Sequence, residues 1–220
     1  MPAVKGGSYG GVSASGRQEE RRRRLLAAGL QVMGTEGLAA ATVRAICREA
    51  GLSSRFFYES FPGVEELAVA LFDQIFTQAT ETVLAAVAEA PPDLGERNRI
   101  AIETFVRELT DDPRVARFTL MESLGSEALA RRRLAMVRTI TETMLQRKQA
   151  PGADRKTGSY REVAATVVVG GLIELLVAWM HGMTDSDLPH LVQDYVQLCN
   201  EVAQTTGSSL PAGRPEARPS

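Results

Sequence analysis

The chain has 220 residues, 44 % of them apolar, which is enough for one small and one larger domain with a proper core. Its net charge of −2 is unevenly distributed, because residues 1–62 hold nine Lys/Arg against five Asp/Glu and residues 63–220 hold sixteen against twenty-two. This charge pattern is expected of a protein that meets phosphate at one end only. Two distant cysteines and a start without an apolar core exclude a disulfide framework and a secretory signal, which predicts a cytoplasmic protein.

The first residues predict a disordered arm followed by a helix. Residues 1–16 are rich in Gly and Ser and have no apolar periodicity, so we expect them to be disordered. A helix is predicted over residues 17–34, with Leu25, Leu26 and Leu30 on its buried side. Residues 21–24 are four consecutive arginines. They are either the solvated start of this helix or a source of phosphate attraction, and the sequence leaves both open.

Residues 42–61 have the pattern of two short helices joined by a tight turn. Thr42 is a predicted N-cap, and the residues after it form one apolar stripe at helical spacing. Gly51 is the residue best suited to end this helix in a left-handed conformation. Phe57 and Phe61 are four residues apart in the second helix, so they can dock on the first. A helical hairpin without a ligand gives the same pattern, but a helix-turn-helix requires it.

These residues resemble the TetR family of transcriptional regulators, whose core T-V-R-x-I-x-x-x-A-G-[VL]-S runs into a recognition helix that ends F-Y-x-x-F. The matching residues are Thr42, Val43, Arg44, Ile46, Ala50, Gly51, Leu52, Ser53, Phe57, Tyr58 and Phe61. The resemblance spans roughly residues 17–76. Two positions depart from the family pattern: Val64 stands where a phosphate-binding lysine is frequent, and Ser60 where a histidine is frequent.

The resemblance and the exposed side of the second helix together predict the DNA contacts. The family match gives Arg44 a base or phosphate contact and makes Tyr58 a phosphate contact. Arg55 can fork onto a guanine, and Phe56 can meet a thymine methyl group. The full set of predicted DNA-binding residues is Thr42, Arg44, Ser53, Ser54, Arg55, Phe56, Tyr58 and Glu59.

The rest of the chain predicts an all-α fold in two domains. Residues 17–63 form the predicted DNA-binding domain, the head, and residues 64–206 form a larger ligand-binding and dimerisation domain, the body. Helices are predicted in the body over residues 64–90, 93–110, 113–124, 126–150, 160–183 and 188–205, with a loop over 151–158. Residues 207–220 are a predicted disordered tail.

The segment 160–183 is the most apolar part of the body. Its length alone suits a membrane span, but Glu174 near its middle and the lack of a second such segment favour a buried helix. In the resembled family the two final helices pair with their copies from a second subunit. We therefore expect a homodimer without membrane contact, with Leu176 and Leu198 on the faces where the subunits meet.

An apolar effector is predicted to bind in the body. Methionine and aromatic side chains suit lipophilic ligands of variable shape, although most of these residues can equally be plain core. The candidate ligand-binding residues are Phe72, Phe76, Phe105, Phe118, Met121, Met144, Trp179 and Met180. No motif for catalysis, a metal or a cofactor is present in the sequence.

The sequence thus predicts a homodimeric repressor that a small lipophilic effector releases from a palindromic operator. Two-fold symmetry is expected because one recognition helix contacts too few base pairs to select a site in a genome. Release by an effector is what the family resemblance implies. A helix-turn-helix protein that binds DNA without a ligand, in an architectural or protein-partner role, is the alternative.

Overall fold

The computed structural model describes residues 14–146 and 155–208, and within these ranges every regular element is helical. The α-helices are α1 (Ala14–Thr35), α2 (Val43–Ala50), α3 (Ser54–Tyr58), α4 (Val64–Glu89), α5 (Leu94–Thr110), α6 (Pro113–Ala116), α7 (Glu127–Gln146), α8 (Arg155–Met180) and α9 (Leu188–Ser208). A 3₁₀ turn, Leu38–Ala40, lies between α1 and α2. After α6 the chain forms a π turn, Arg117–Met121, and a 3₁₀ turn, Glu122–Gly125. The predicted all-α fold is confirmed.

Several predicted boundaries were wrong. Helix α1 begins at Ala14, inside the predicted arm, and α8 begins at Arg155, inside the predicted loop. Helix α9 continues to Ser208, two residues into the predicted tail. The single helix expected over residues 113–124 is interrupted by the π turn. The rest of the arm (1–13), of the loop (151–154) and of the tail (209–220) lies outside the described residues.

The head is built around side chains from its three helices. Leu25 of α1, Ile46 of α2 and Phe57 of α3 are completely buried, and Phe61 just after α3 is 2 % exposed. The two phenylalanine rings lie 6.0 Å apart between centroids. Burial of such large side chains contributes roughly 1.5–3 kcal/mol each, which holds the short α3 against the other two helices.

Helix α4 belongs to both parts of the molecule. Near its start, Leu67 is fully buried against α1, where a Cβ on Gly29 would lie only 2.5 Å from Leu67 Cδ2. Further along, Leu71, Phe72 and Phe76 are buried in the body. With 26 residues, α4 spans about 39 Å at 1.5 Å per residue. It therefore connects head and body as one rod.

A second connection joins the end of α1 to α6 and the π turn. A Cβ on Gly34 would lie 2.5 Å from the Cβ of Arg114 and 2.7 Å from its carbonyl oxygen, so only glycine permits this approach. Glu122 accepts a hydrogen bond from the Leu38 backbone N–H at 2.8 Å, and Arg117 donates to the Thr35 carbonyl at 2.5 Å. The Arg117 Nε also donates to Glu122 at 3.2 Å. We refer to Arg117 and Glu122 with these backbone partners as the latch.

Helices α8 and α9 leave apolar surface uncovered. Only 22 % of the apolar window Glu162–Met180, with a mean hydropathy of 2.1, is buried. The exposed fraction is 57 % for Val163, 66 % for Val167 and 50 % for Leu198 of α9. Leu176 is completely buried, so its predicted place on an outer face was wrong: it lies in the core of the chain itself. Within the described residues, α8 is the one helix that is long and apolar enough to cross a membrane. A single such helix is weak evidence for a membrane span.

Candidate nucleic-acid interface

Helix α2 begins and ends at the predicted residues. The Thr42 hydroxyl accepts a hydrogen bond from the Ala45 backbone N–H at 3.1 Å, which caps the first turn. At the other end Gly51 adopts φ 61° and ψ 38°, the left-handed conformation that favours glycine. Ile46, Cys47 and Ala50 are the buried stripe. Burial raises the pKa of the Cys47 thiol, so this cysteine is a neutral core residue.

The arginines of α1 hold the helix-turn-helix together. Arg24 donates to the carbonyl of Ala50 at 2.5 Å, an acceptor left free where α2 ends. Arg22 donates to the carbonyl of Ser60 at 3.2 Å and stacks over the Phe61 ring at 4.3 Å. These contacts give two of the four cations a structural role that neither interpretation of the sequence included. Only tertiary contacts show it, since the four arginines look alike in the sequence.

Helix α3 presents one buried and one exposed side. Phe57 is fully buried, whereas Tyr58 is 61 % exposed and the Arg55 side chain is 85 % exposed. The Tyr58 ring lies edge-on to the Phe57 ring, at 5.6 Å between centroids and 81° between planes. Contact with a buried ring therefore helps to orient this exposed tyrosine. Ser53 is the residue before the helix, but its side chain makes no capping hydrogen bond.

The other predicted DNA-binding residues lie on the same motif. Thr42, Arg44, Ser53 and Ser54 are exposed. Phe56 is half-buried, with the guanidinium of Arg21 4.6 Å from its ring centre. At the two positions that depart from the family pattern, Val64 packs against the core and the Ser60 hydroxyl is buried without a hydrogen-bond partner. The individual DNA contacts stay predictions.

The candidate ligand-binding residues differ in their contacts and in how far they are buried. Phe72, Phe76 and Phe105 form one aromatic cluster, with centroid distances of 4.5 and 6.2 Å along the series. Phe72, Phe76 and Phe118 are buried in the core. The remaining residues with a described side chain, Met121, Trp179 and Met180, are half-buried. The side chain of Met144 lies outside the described residues.

In the described ranges, no cluster of three His, Cys, Asp or Glu side chains is placed to bind a metal ion. His181 follows the end of α8, and its Nδ1 lies 2.8 Å from the carbonyl oxygen of Val177 in that helix. The His190 ring pairs with Asp187 at 2.7 Å, which also caps α9 by accepting the His190 backbone N–H. Both histidines thus have local structural partners.

Residues 25–71 match the family model of bacterial regulatory proteins, tetR family. The fold is also similar to solved regulators over most of their length. FadR from Bacillus halodurans, a fatty acid degradation regulator, is 20 % identical, with a TM-score of 0.65 over 81 % of this chain and 94 % of that one. A transcriptional regulator from Pseudomonas aeruginosa PAO1 is 19 % identical, with a TM-score of 0.64 over 87 % and 92 %.

A third similar structure was solved with a ligand. FadR from Bacillus subtilis, in complex with stearoyl-CoA, is 19 % identical, with a TM-score of 0.58 over 86 % of this chain and 98 % of that one. The family model therefore confirms the resemblance of residues 25–71 to the TetR family, and the solved structures show that the fold of the chain is that of known regulators.

Proposed function

We propose that this chain, with the head and the fold of the TetR family, is a homodimeric repressor that a lipophilic effector releases from a palindromic DNA operator. The observation that carries the proposal is the exposed face of α3. This face presents Arg55, Tyr58 and Ser54 to solvent while Phe57 secures the helix from behind. A recognition helix in the major groove needs this division into an anchored and a free side.

The dimer is supported by the uncovered apolar face of α8. Val163, Val167 and Glu174 are exposed and Gly170 is half-buried, and the four follow one another at helical spacing along one side of α8. A Cβ on Gly170 would meet no atom within 4 Å, so another helix can approach closely there. Glu174 does not lie free in this face, because Arg133 of α7 is 3.1 Å from its carboxylate. A second copy of the chain would bury this surface and set two heads in a fixed relation.

The effector class is supported by the body and by one solved neighbour. Phe72, Phe76 and Phe105 form an aromatic cluster in the body, and Trp179 and Met180 of α8 are half-buried, so the body contains adaptable side chains that suit an apolar ligand. The FadR structure from Bacillus subtilis contains stearoyl-CoA. A long acyl chain is therefore the first ligand to test here, with stearoyl-CoA as the probe.

Release would be a shift between two conformations. Operator DNA favours heads spaced for successive major grooves, and an effector that favours another body conformation must oppose it. Helix α4, the contact of α6 with the end of α1, and the latch are connections through which a movement of the body would reach the head. A hundredfold change in operator affinity needs about 2.7 kcal/mol of coupling free energy.

Replacing Arg55 with alanine is expected to weaken operator binding by about 1–3 kcal/mol and to relax preference at one base pair, because a guanidinium forks onto guanine. Tyr58→Phe is the matched comparison. It should weaken all sequences about equally, since loss of a phosphate contact carries no base information. Both effects are measured by binding to a randomised duplex library. Unchanged affinity and preference in the Arg55→Ala protein would contradict the assignment.

A DNA-binding protein without an effector is the second candidate, because Phe72, Phe76 and Phe118 are as buried as ordinary core residues. Thermal melting with a panel of lipophilic compounds, stearoyl-CoA included, separates the two. A ligand-responsive repressor should melt at a higher temperature with at least one of them, because binding to the native state stabilises it. No shift across a broad panel would favour the candidate without an effector.

A further inference from the structure

Glu59 links a guanidinium on α1 to the exposed guanidinium on α3. One carboxylate oxygen accepts a hydrogen bond from Arg55 Nε at 3.1 Å. The other lies 3.7 Å from Arg21 Nη2, an ion pair between α1 and the residue that follows α3. The Glu59 side chain is 36 % exposed and the Arg55 side chain is 85 % exposed. The Glu59 carboxylate is therefore less accessible to solvent than the Arg55 guanidinium to which it is bonded.

Arg21 is the fixed end of this arrangement. Its side chain is 24 % exposed, its guanidinium lies 4.6 Å from the centre of the Phe56 ring, and its Nε is buried without a hydrogen-bond partner. Packing on an aromatic face therefore sets the position of this cation. Because Arg21 cannot move away freely, it gives the Glu59 carboxylate a preferred position beside α3.

The geometry leaves the correct part of Arg55 available for a base. Its hydrogen bond to Glu59 uses Nε, and both terminal nitrogens have no other hydrogen-bond partner among the described residues. Those two nitrogens form the fork that matches O6 and N7 of guanine. An arginine that is already oriented loses less conformational entropy on binding. More of the free energy of its contact with guanine then contributes to base preference.

The same carboxylate acts against binding to DNA in general. A negative charge next to α3 repels phosphate, which supplies most of the affinity for random sequence. One side chain thus lowers non-specific affinity and sharpens the preference of its neighbour, and both effects raise specificity.

We propose that Glu59 is a positioning residue that contacts no base: held by Arg21, it orients Arg55 toward one guanine and limits binding to other sequences. This inference rests on the proposed DNA-binding function. It reassigns Glu59, which the sequence placed among the DNA contacts, and it gives Arg21 a role in specificity.

The test is a double-mutant cycle on the full chain with a randomised duplex library. Glu59→Gln should bind random DNA about threefold to tenfold more tightly and lose about the same factor of preference at the base pair that Arg55→Ala identifies. In the Arg55→Ala background, Glu59→Gln should change no base preference. Arg21→Met, which can still cover the Phe56 ring, should weaken the same preference without tightening binding to random DNA.

Glu49→Gln is the matched control, because it removes an equal charge from an exposed position on α2. It should raise affinity for random DNA and leave base preference unchanged. A preference change by Glu59→Gln that persists without Arg55 would overturn the inference and make Glu59 a direct contact. No preference change at all would overturn it as well. Failure of the unaltered protein to bind any duplex would instead overturn the proposed function, and this inference with it.

Discussion

Replacing Val167 with glutamate is expected to produce folded monomers that bind the operator at least about a hundredfold more weakly. The reason is that a monomer contacts one half-site, whereas a dimer contacts two. Val167 is 66 % exposed in the isolated subunit, so glutamate costs that subunit little. In a dimer the two-fold axis places both new charges in or near one apolar seam. A buried charge without a partner costs several kcal/mol, which is enough to separate the subunits.

Light scattering at micromolar concentration and far-ultraviolet circular dichroism measure the two halves of this prediction. Gln78→Glu places the same charge on an exposed position of α4 and should leave the dimer intact. Leu176→Glu is the contrasting variant, because Leu176 is fully buried within its own subunit. It should lose cooperative unfolding altogether. A Val167→Glu protein that stays dimeric and binds the operator normally would place the subunit interface elsewhere.

Replacing Glu122 with alanine is expected to separate effector binding from operator release. The Glu122 carboxylate is the acceptor that joins the Leu38 backbone N–H in the head to Arg117 in the body. Without it, the head can keep the geometry that suits DNA while the body changes. With stearoyl-CoA as the probe, a response of about a hundredfold in operator affinity should fall below about tenfold, a loss of at least about 1.4 kcal/mol of coupling.

Emission from Trp179, the sole tryptophan, is the readout for the body in this experiment. In the unaltered protein, its change on titration should share a midpoint with operator release, as linkage requires. In Glu122→Ala the emission change should remain while release weakens. Glu142→Ala is the control, because Glu142 pairs with Arg138 on the surface of α7, outside the latch. A full release response in Glu122→Ala would show that the latch does not carry the coupling.

Local rules explain why the helix-turn-helix could be predicted from the sequence. Thr42 caps α2 and Gly51 ends it because a hydroxyl and a left-handed residue act within a few positions of themselves. The buried Phe57 and Phe61 likewise follow from their spacing.

Contacts between distant segments decided what the sequence could not show. Leu176 and Val167 are both apolar residues of α8, and only the position of the other body helices makes one core and the other surface. The interruption of the helix near residue 117 is a second feature that the sequence did not show. In a regular α-helix, residues five apart point roughly 140° away from each other. The π turn, in which the Glu122 N–H bonds to the Arg117 carbonyl, brings both latch side chains to one side.

The structural role of the α1 arginines was missed for the same reason. Arg22 and Arg24 donate hydrogen bonds to carbonyl groups 38 and 26 residues away, the first just after α3 and the second at the end of α2. A run of cations carries no sign of such partners. The choice between a solvated helix start and phosphate attraction was therefore too narrow.

Selection of duplexes from a random library by the unaltered protein is the most direct test of the central claim, that two heads of one dimer contact successive major grooves. The account predicts enrichment of an inverted repeat whose half-sites are about one helical turn apart, or a multiple of it, with a guanine in each half that is lost with Arg55→Ala. Footprinting should then protect both halves at one protein concentration. Enrichment of no sequence, or of a single half-site bound equally well by a monomer, would contradict the account.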